Sequence, residues 1–177
     1  MEILLLGNEL LHQKAEPIKQ IGLQYIEIAE NMLEALHDGK GIGLAGPQIG
    51  LMERIFVIHA AGDIPRVFIN PSIIETSQEM IKYEEGCLSI PGIYADVTRP
   101  QSVKVQAWNE KGRPFALEAS GLVARVILHE YDHLEGKLFI DYLSEQKRNR
   151  LFSKMEKTAK RSERSVRKGG RTEKEKM

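Results

Sequence analysis

The sequence predicts an α+β fold with a further helix near its C-terminus. An amphipathic segment of helical spacing comes first, short strand-like segments follow, and two more helical segments come last. This order lacks the regular strand–helix alternation of parallel α/β proteins and is typical of α+β domains. The 177 residues are 42% hydrophobic and 28% charged. That composition excludes a wholly disordered chain, a collagen and a multi-span membrane protein.

The first helix is predicted over residues 24–37, where the apolar residues recur at helical spacing: Tyr25, Ile26, Ala29, Met32, Leu33 and Leu36. Gly39 is expected to stop this helix. A glycine-rich loop follows over residues 39–50.

Several strands are predicted in the middle of the chain. Residues 54–60 and 66–69 are rich in β-branched and aromatic side chains, and Asn70-Pro71 is expected to end the second strand. Further short strands are expected within 73–84. Residues 102–108 alternate in polarity and are expected to pair with 113–119 as a hairpin through the turn 109–112.

A second helix is expected to begin after Ser120 as its N-cap and to end at Gly136. Its apolar face is formed by Leu122, Val123, Val126 and Ile127. A third helix is expected after Ser144, and beyond about residue 163 the chain is expected to fray. We therefore predict a catalytic domain over residues 1–147 and a basic helix with a disordered tail over 148–177.

The N-terminus does not resemble a secretory signal. Its apolar run over residues 3–6 is short and lacks a basic start, which predicts a cytoplasmic protein. With Cys87 as the one cysteine, an intrachain disulfide is excluded.

The strongest local motif is the HExxH sequence of residues 129–133 on the second predicted helix. Residues four apart lie about 40° apart around a helix, so His129 and His133 can reach one metal ion. Glu130 lies beside them, where it can hold a water molecule. A chance occurrence on a surface helix is the alternative. The apolar run before His129 favours a buried helix, in which two histidines and a carboxylate need partners.

Two histidines need a third ligand to form a catalytic metal site with one open position. Glu135 lies too close to His133 in the sequence, and Glu145 is a poor candidate. Cys87 is either a small buried hydrophobic residue or a ligand. Its neighbours Gly86, Pro91 and Gly92 indicate an irregular segment rather than the centre of a strand.

Three segments together resemble the peptide deformylase family. They are residues 41–48 (GIGLAGPQ), 85–89 (EGCLS) and 129–136 (HEYDHLEG). The resemblance extends from the N-terminus to about residue 145. It implies removal of the formyl group from the N-terminal formylmethionine of nascent polypeptides. We therefore expect antiparallel sheets packed around a central HExxH helix, followed by a C-terminal helix.

The resemblance also implies a role for each residue of the site. The metal ligands would be Cys87, His129 and His133. Glu130 would be the general acid/base, and the Gln48 side-chain amide and Leu88 backbone N–H would bind the developing oxyanion. Ferrous iron is the family's usual metal, with zinc, nickel or cobalt as substitutes.

The substrate-binding residues follow from the same resemblance. Backbone groups of Gly43 and Gly86 would hold the peptide chain of the substrate. The pocket for the methionine side chain would be lined by Ile42, Tyr83, Leu122 and Val126.

The chain departs from the common family pattern at three positions. Gly46 replaces the usual alanine and is expected to loosen the loop that positions Gln48, at a cost of up to ~1 kcal/mol. Leu128 stands where glutamine is frequent. Arg125 stands where many members have an apolar residue; its stem is expected to line a pocket while its guanidinium reaches water.

Two charged side chains are candidates for a supporting role. A buried pair between Asp132 and Arg99 would hold the cysteine segment against the second helix. The alternative is that both side chains are solvated.

The C-terminal segment is strongly basic. Residues 148–177 hold 12 Lys/Arg and 4 Asp/Glu, a net charge of +8, whereas residues 1–147 hold 13 and 21, a net of −8. A solvated, frayed helix is one interpretation. Contact with ribosomal RNA, as made by the C-terminal helix of some deformylases, is the other.

Two other functional classes remain as alternatives. A zinc peptidase that cleaves internal peptide bonds would need a third ligand after His133. A non-catalytic, ribosome-associated protein would be expected to lack Cys87, Glu130 or a histidine, and all are present.

Overall fold

The computed structural model describes residues 1–153. The chain divides into two compact units, Met1–Tyr142 and Leu143–Met177. Of the second unit, residues 143–153 are described, and residues 145–153 are helical. The Ser144 hydroxyl accepts a hydrogen bond from the Lys147 backbone N–H at 3.4 Å, as expected for the start of the third helix. The rest of the predicted basic helix and tail lies outside the described residues.

The first unit contains two helices and seven strands among its described residues. The helices are α1 (Gln24–Asp38) and α2 (Gly121–Leu134). The strands are β1 (Gly43–Ala45), β2 (Ile55–Ile58), β3 (Arg66–Thr76), β4 (Met80–Cys87), β5 (Ile90–Pro100), β6 (Ser102–Trp108) and β7 (Pro114–Ser120). Three short 3-10 helices are Glu9–His12, Gly46–Ile49 and Phe139–Tyr142.

All strand pairs are antiparallel and form two sheets. The larger sheet has the order β1-β2-β3-β6-β7, and β4 pairs with β5 in the smaller sheet. Helix α2 contacts β1, β2, β6 and β7 of the larger sheet and β5 of the smaller one. The predicted α+β fold, with antiparallel sheets around the HExxH helix, is confirmed.

Strand β2 is buried on both faces of the larger sheet, which explains its continuous apolar sequence. Phe56 of β2 packs in one cluster with Phe68 and with Ala124 and Ile127 of α2. The alternate residues face α1, where Tyr25, Met32 and Leu36 pack with Ile55, Val57, Val67 and Ile69. Helix α2 therefore packs on one face of the sheet at β1 and β2, and α1 packs on the opposite face.

The ends of α2 follow the predicted signals. Ser120 stands at the N-cap position in extended conformation, although its side chain makes no capping hydrogen bond. Gly136 has φ +70°, and the Lys137 N–H donates to the Asp132 carbonyl at 2.9 Å. This left-handed glycine ends the helix.

The expected end of the second strand at Asn70-Pro71 is wrong, because β3 runs on to Thr76. Asn70 takes φ +48° at a shift in the pairing register between Ile69 and Ser72. Its side-chain amide exchanges two hydrogen bonds of 2.8 Å with the backbone of Ile18. Proline is tolerated here because an irregularity in the ladder needs no N–H at this position.

The expected glycine loop over residues 39–50 is also more ordered than the sequence predicted. It contains β1 and the 3-10 helix Gly46–Ile49. Strand β5 was not predicted, although residues Ile93, Ala95, Val97 and Arg99 alternate inward along it. That alternation was the signal for a strand.

Candidate metal centre and active site

The site is built from the end of one strand and one face of α2. His129 and His133 are four residues apart on α2, and their ring centroids are 5.1 Å apart. Cys87 Sγ lies 3.4 Å from His133 Nε2. Within residues 1–153, Cys87, His129 and His133 form a group whose ligand atoms all lie within 4.8 Å of one another.

Cys87 reaches this position because it ends β4 at a tight reversal of the chain. The pairing of β4 with β5 shifts between Gly86 and Cys87, so that Cys87 faces Ile90. The expected irregular segment is therefore present around Cys87, whereas the residues before Gly86 pair regularly with β5. The irregularity extends past Leu88 and Ser89 to Gly92, which has φ +76°, and the regular ladder begins where Gly86 pairs with Tyr94.

Glu85 is the central buried acid of the site, and sequence reasoning missed it. Its carboxylate accepts from Arg99 Nε at 2.6 Å and Nη2 at 3.0 Å, and it lies 2.8 Å from His129 Nδ1. Burial alone would raise the pKa of Glu85, but hydrogen bonds from His129 and Arg99 outweigh it and hold that pKa well below its usual range. An ionised acceptor on Nδ1 leaves Nε2 of His129 free to bind a metal.

The predicted pair between Arg99 and Asp132 is present. Arg99 Nη1 donates to Asp132 Oδ2 at 2.7 Å, and both side chains are buried. Because Arg99 lies on β5 and Asp132 on α2, this bond joins the hairpin to the helix.

The prediction that the Arg125 guanidinium reaches water is wrong. Its side chain is only 8% exposed, so its guanidinium is largely shielded from water. It donates instead to Glu85 Oε1 at 2.8 Å and to the carbonyls of Val97 at 2.7 Å and Ile81 at 2.6 Å. Buried acceptors on both strands of the hairpin outcompete solvent for this side chain.

The expectation for Gly46 also changes. A Cβ at this position would lie 2.6 Å from the Leu51 carbonyl oxygen and 2.9 Å from that of Glu53. Glycine is therefore needed for close backbone packing, rather than loosening the loop. Leu128 packs, half-buried, against the apolar cluster around α2.

Gln48 is held beside the metal-binding group. It is 1% exposed, and its Oε1 accepts from the Ala45 N–H at 2.8 Å. Its Nε2 donates to Ser89 Oγ at 3.2 Å and to Cys87 Sγ at 3.4 Å. Ser89 was not predicted as part of the site. The Gln48 amide therefore points its N–H groups towards the cysteine turn.

Glu130 is buried against β1. A Cβ on Gly43 would lie 2.2 Å from Glu130 Oε1, so only glycine leaves room for this carboxylate. Within the described chain, Glu130 Oε2 and His133 Nδ1 are buried without a hydrogen-bond partner. An orphaned carboxylate oxygen beside one sulfur and two nitrogen donors fits a metal site with a solvent or substrate ligand.

The titratable groups at the site are strongly perturbed. Burial raises the pKa of Glu130 to about 7. Burial would lower the pKa of His129, but hydrogen bonds to Cys87 and Glu85 raise it to about 10. Burial and the charges of His129 and Arg99 hold the pKa of His133 well below its usual range. A cation at these donor atoms would compete with the proton on His129.

A cavity of about 640 Å³ opens beside this group. Every site residue expected from the sequence lines it except His133: Ile42, Gly43, Gln48, Tyr83, Gly86, Cys87, Leu88, Leu122, Val126, His129 and Glu130. Sequence reasoning missed Tyr94, which also lines the cavity. A Cβ on Gly86 would lie 2.6 Å from Cε1 of the Tyr94 ring. The cavity wall thus combines apolar side chains with glycine backbone.

Comparison with known proteins gives one consistent family. The profile of the family described as polypeptide deformylase matches residues 1–149. A peptide deformylase of Neisseria meningitidis is 45% identical over 162 residues, which are 90% of this chain and 96% of the relative. One of Teredinibacter turnerae is 47% identical over 152 residues, 85% of this chain and 90% of the relative.

A solved structure agrees with these relatives. The crystal structure of a peptide deformylase from Legionella pneumophila has a TM-score of 0.85 at 36% identity, covering 92% of this chain and 97% of that one. Within residues 1–153, no helix has both the length and the apolar character to cross a bilayer. The fold, the site and the matched length agree, and the chain belongs to the peptide deformylase family.

Proposed function

We propose that Cys87, His129 and His133 bind the metal ion of this deformylase and that Glu130 moves the proton in its reaction. As a family member, the protein removes the formyl group from nascent polypeptides by metal-dependent hydrolysis. The observation that carries the residue assignment is the convergence of one sulfur and two nitrogen atoms within 4.8 Å. Family membership also favours this activity over an internal peptidase or a non-catalytic protein.

The donor set suits a divalent transition metal. A thiolate and two imidazoles are ligands for iron, zinc, cobalt and nickel, and three protein ligands leave a position open. We assign ferrous iron as the native metal on the family resemblance, with zinc, nickel or cobalt able to replace it. When bound, the cation supplies Lewis acidity that lowers the pKa of a coordinated water towards ~7.

Glu130 has the properties of a general acid/base at neutral pH. The residue is 3% exposed, and burial raises the pKa of its carboxyl group to about 7. A pKa close to the working pH allows one group both to take and to give a proton. We assign Glu130 to take the proton of the attacking water and to donate it to the amine that leaves the formyl carbon.

Gln48 and Leu88 are assigned to the developing oxyanion. Gln48 Nε2 lies 3.4 Å from Cys87 Sγ, so its amide borders the metal-binding group. The Leu88 backbone N–H follows Cys87 in the same turn. One such preorganised donor is typically worth ~3–4 kcal/mol in the transition state.

The cavity supports the proposed mode of substrate binding. Gly43 and Gly86 line the cavity and are assigned to offer backbone groups to the peptide, while Glu130 and Tyr94 occupy the room that their missing side chains leave. Ile42, Tyr83, Leu122 and Val126 surround the space assigned to the methionine side chain, with Leu122 and Val126 on the same face of α2.

The direct test is cleavage of formyl-Met-Ala-Ser by protein purified without oxygen, with the metal content measured in the same sample. Glu130→Ala is expected to keep its metal and to lose at least ~100-fold in kcat. Glu135→Ala, which alters a carboxylate at the end of the same helix, serves as the control. Cys87→Ala is expected to lose the metal. Full turnover by Glu130→Ala would refute the assignment.

We further propose a cytoplasmic location and contact of residues 148–177 with the ribosome. The net charge of +8 on these residues supports an electrostatic contact with RNA. Residues 154–177 lie outside the described structure. Deleting 148–177 is expected to abolish co-sedimentation with ribosomes at low salt, and undiminished co-sedimentation would refute the contact. The division into a catalytic domain over 1–147 and this basic segment is part of the same proposal.

A further inference from the structure

We propose that Arg125 is a positioning residue that clamps the β4–β5 hairpin onto α2 and thereby sets the metal affinity of the site. This inference rests on the proposed metal ligands. Arg125 stands one helical turn before His129 on α2, and it bonds the same carboxylate, Glu85, that faces His129 Nδ1.

The geometry of the Arg125 guanidinium is specific. Nη1 donates to Glu85 Oε1 at 2.8 Å and to the Val97 carbonyl at 2.7 Å, and Nη2 donates to the Ile81 carbonyl at 2.6 Å. Ile81 lies on β4 and Val97 on β5. A single side chain of α2 therefore ties down both strands that lead to and from Cys87.

Burial makes this arrangement selective for arginine. A buried cation is tolerated only when it is paired and its donors are satisfied. Lysine would retain the charge opposite Glu85, but its single nitrogen cannot reproduce the planar fork that spans two strands. A neutral side chain of equal length would leave two buried carbonyls without this donor.

The effect reaches the metal site through Glu85. Its Oε1 accepts from Arg99 Nε at 2.6 Å as well as from Arg125, while its Oε2 faces His129 Nδ1 at 2.8 Å. Loss of Arg125 leaves the Arg99 contacts in place, so the ligands remain but are held less firmly. Loss of a partner that orients a metal ligand typically weakens metal binding ~10–100-fold, and we expect the lower end.

The same clamp borders the substrate cavity. The Arg125 Cζ lies 5.9 Å from the centroid of the Tyr83 ring, and both residues line the cavity. Tyr83 is carried by β4, the strand that Arg125 holds at Ile81. A looser hairpin is therefore expected to raise KM for formyl-Met-Ala-Ser as well.

The test uses the full-length protein, stripped of metal and titrated with Co²⁺ against a competing chelator. Arg125→Met is expected to weaken Co²⁺ binding about tenfold, and Arg125→Lys to fall between Arg125→Met and the unmodified protein. Arg54→Met is the matched control. Arg54 is 8% exposed and bonds Glu135 at 2.6 Å instead of Glu85. It is expected to lower Tm without changing Co²⁺ affinity.

Unchanged Co²⁺ affinity and KM in Arg125→Met would overturn the inference, whatever the Tm. Unchanged Co²⁺ affinity in Arg125→Lys would show that the positive charge alone suffices, and it would overturn the two-strand clamp. This second variant keeps the inference testable if Arg125→Met fails to fold. The Co²⁺ titration does not depend on turnover. If the unmodified protein bound Co²⁺ but did not cleave formyl-Met-Ala-Ser, the proposed function would fail while the Arg125 inference could still be decided.

Discussion

Replacing Gly43 by alanine tests the placement of Glu130, with kcat as the readout because Gly43 is also assigned to bind the substrate peptide. The added Cβ would lie 2.2 Å from Glu130 Oε1, 2.7 Å from Cδ and 2.8 Å from Cγ. Optimal contacts between such atoms are ~3.5–4.0 Å, so the carboxyl group must move by about 1 Å. The backbone itself tolerates alanine, because Gly43 lies in β1 without a positive φ.

The expected effect is on the chemical step. A displacement of about 1 Å in a reacting group can cost ~100-fold in rate, which corresponds to about 2.7 kcal/mol. We expect Gly43→Ala to lose kcat for formyl-Met-Ala-Ser by this order while it retains its metal, because the three atoms nearest to the added Cβ all belong to Glu130.

The assay pairs steady-state kinetics with metal analysis and Tm. Gly22→Ala is the matched control, since its Cβ would meet the flexible end of the Gln24 side chain, which can rotate away. A kcat for Gly43→Ala within about twofold of the unmodified protein, a difference of ~0.4 kcal/mol, would refute the claim that this contact positions Glu130.

Three further predictions concern stability. Gly46→Ala should destabilise the fold by ~1–3 kcal/mol in denaturant unfolding, because its Cβ meets two backbone carbonyls, those of Leu51 and Glu53; an unchanged midpoint would contradict this. Arg99→Met should cost ~3–5 kcal/mol, because it removes the buried cation that pairs with Asp132 and one of the two that pair with Glu85. A loss below ~1 kcal/mol, the value of a surface pair, would contradict that role. Burial and the Glu53 hydrogen bond raise the pKa of Tyr25 from 10.0 to about 12. Its contribution to stability should therefore be complete below pH 10 and lost between about pH 10 and 12. Tyr25→Phe should remove that part of the Tm decline, and an identical alkaline profile would contradict the assignment.

Local patterns were sufficient for the elements whose signals lie close together in the sequence. Helix α2 could be predicted without reference to the rest of the chain. Its sequence carries the spacing of His129 and His133 and, just after the helix, Gly136, which takes a left-handed conformation. The hairpin of β6 and β7 follows from alternation on either side of a short turn. In each case the information lies within about one turn or one strand pair.

The remaining features depend on partners far away in the sequence. Asn70 keeps β3 continuous by bonding Ile18, 52 residues away. Glu85 acquires its role from Arg99, Arg125 and His129, which a linear pattern of polar residues does not bring together. The prediction that the Arg125 guanidinium is exposed was wrong for the same reason, because its acceptors come from two distant strands.

The central claim is that one sulfur and two imidazole nitrogens bind the same divalent cation. X-ray absorption at the metal edge of zinc-loaded protein tests it directly, with Cys87→Ser measured alongside. We predict one sulfur at ~2.3 Å and two nitrogens at ~2.0–2.1 Å, and loss of the sulfur shell in Cys87→Ser. A shell of nitrogen and oxygen alone in the unmodified protein, or a sulfur shell that persists in Cys87→Ser, would contradict the account.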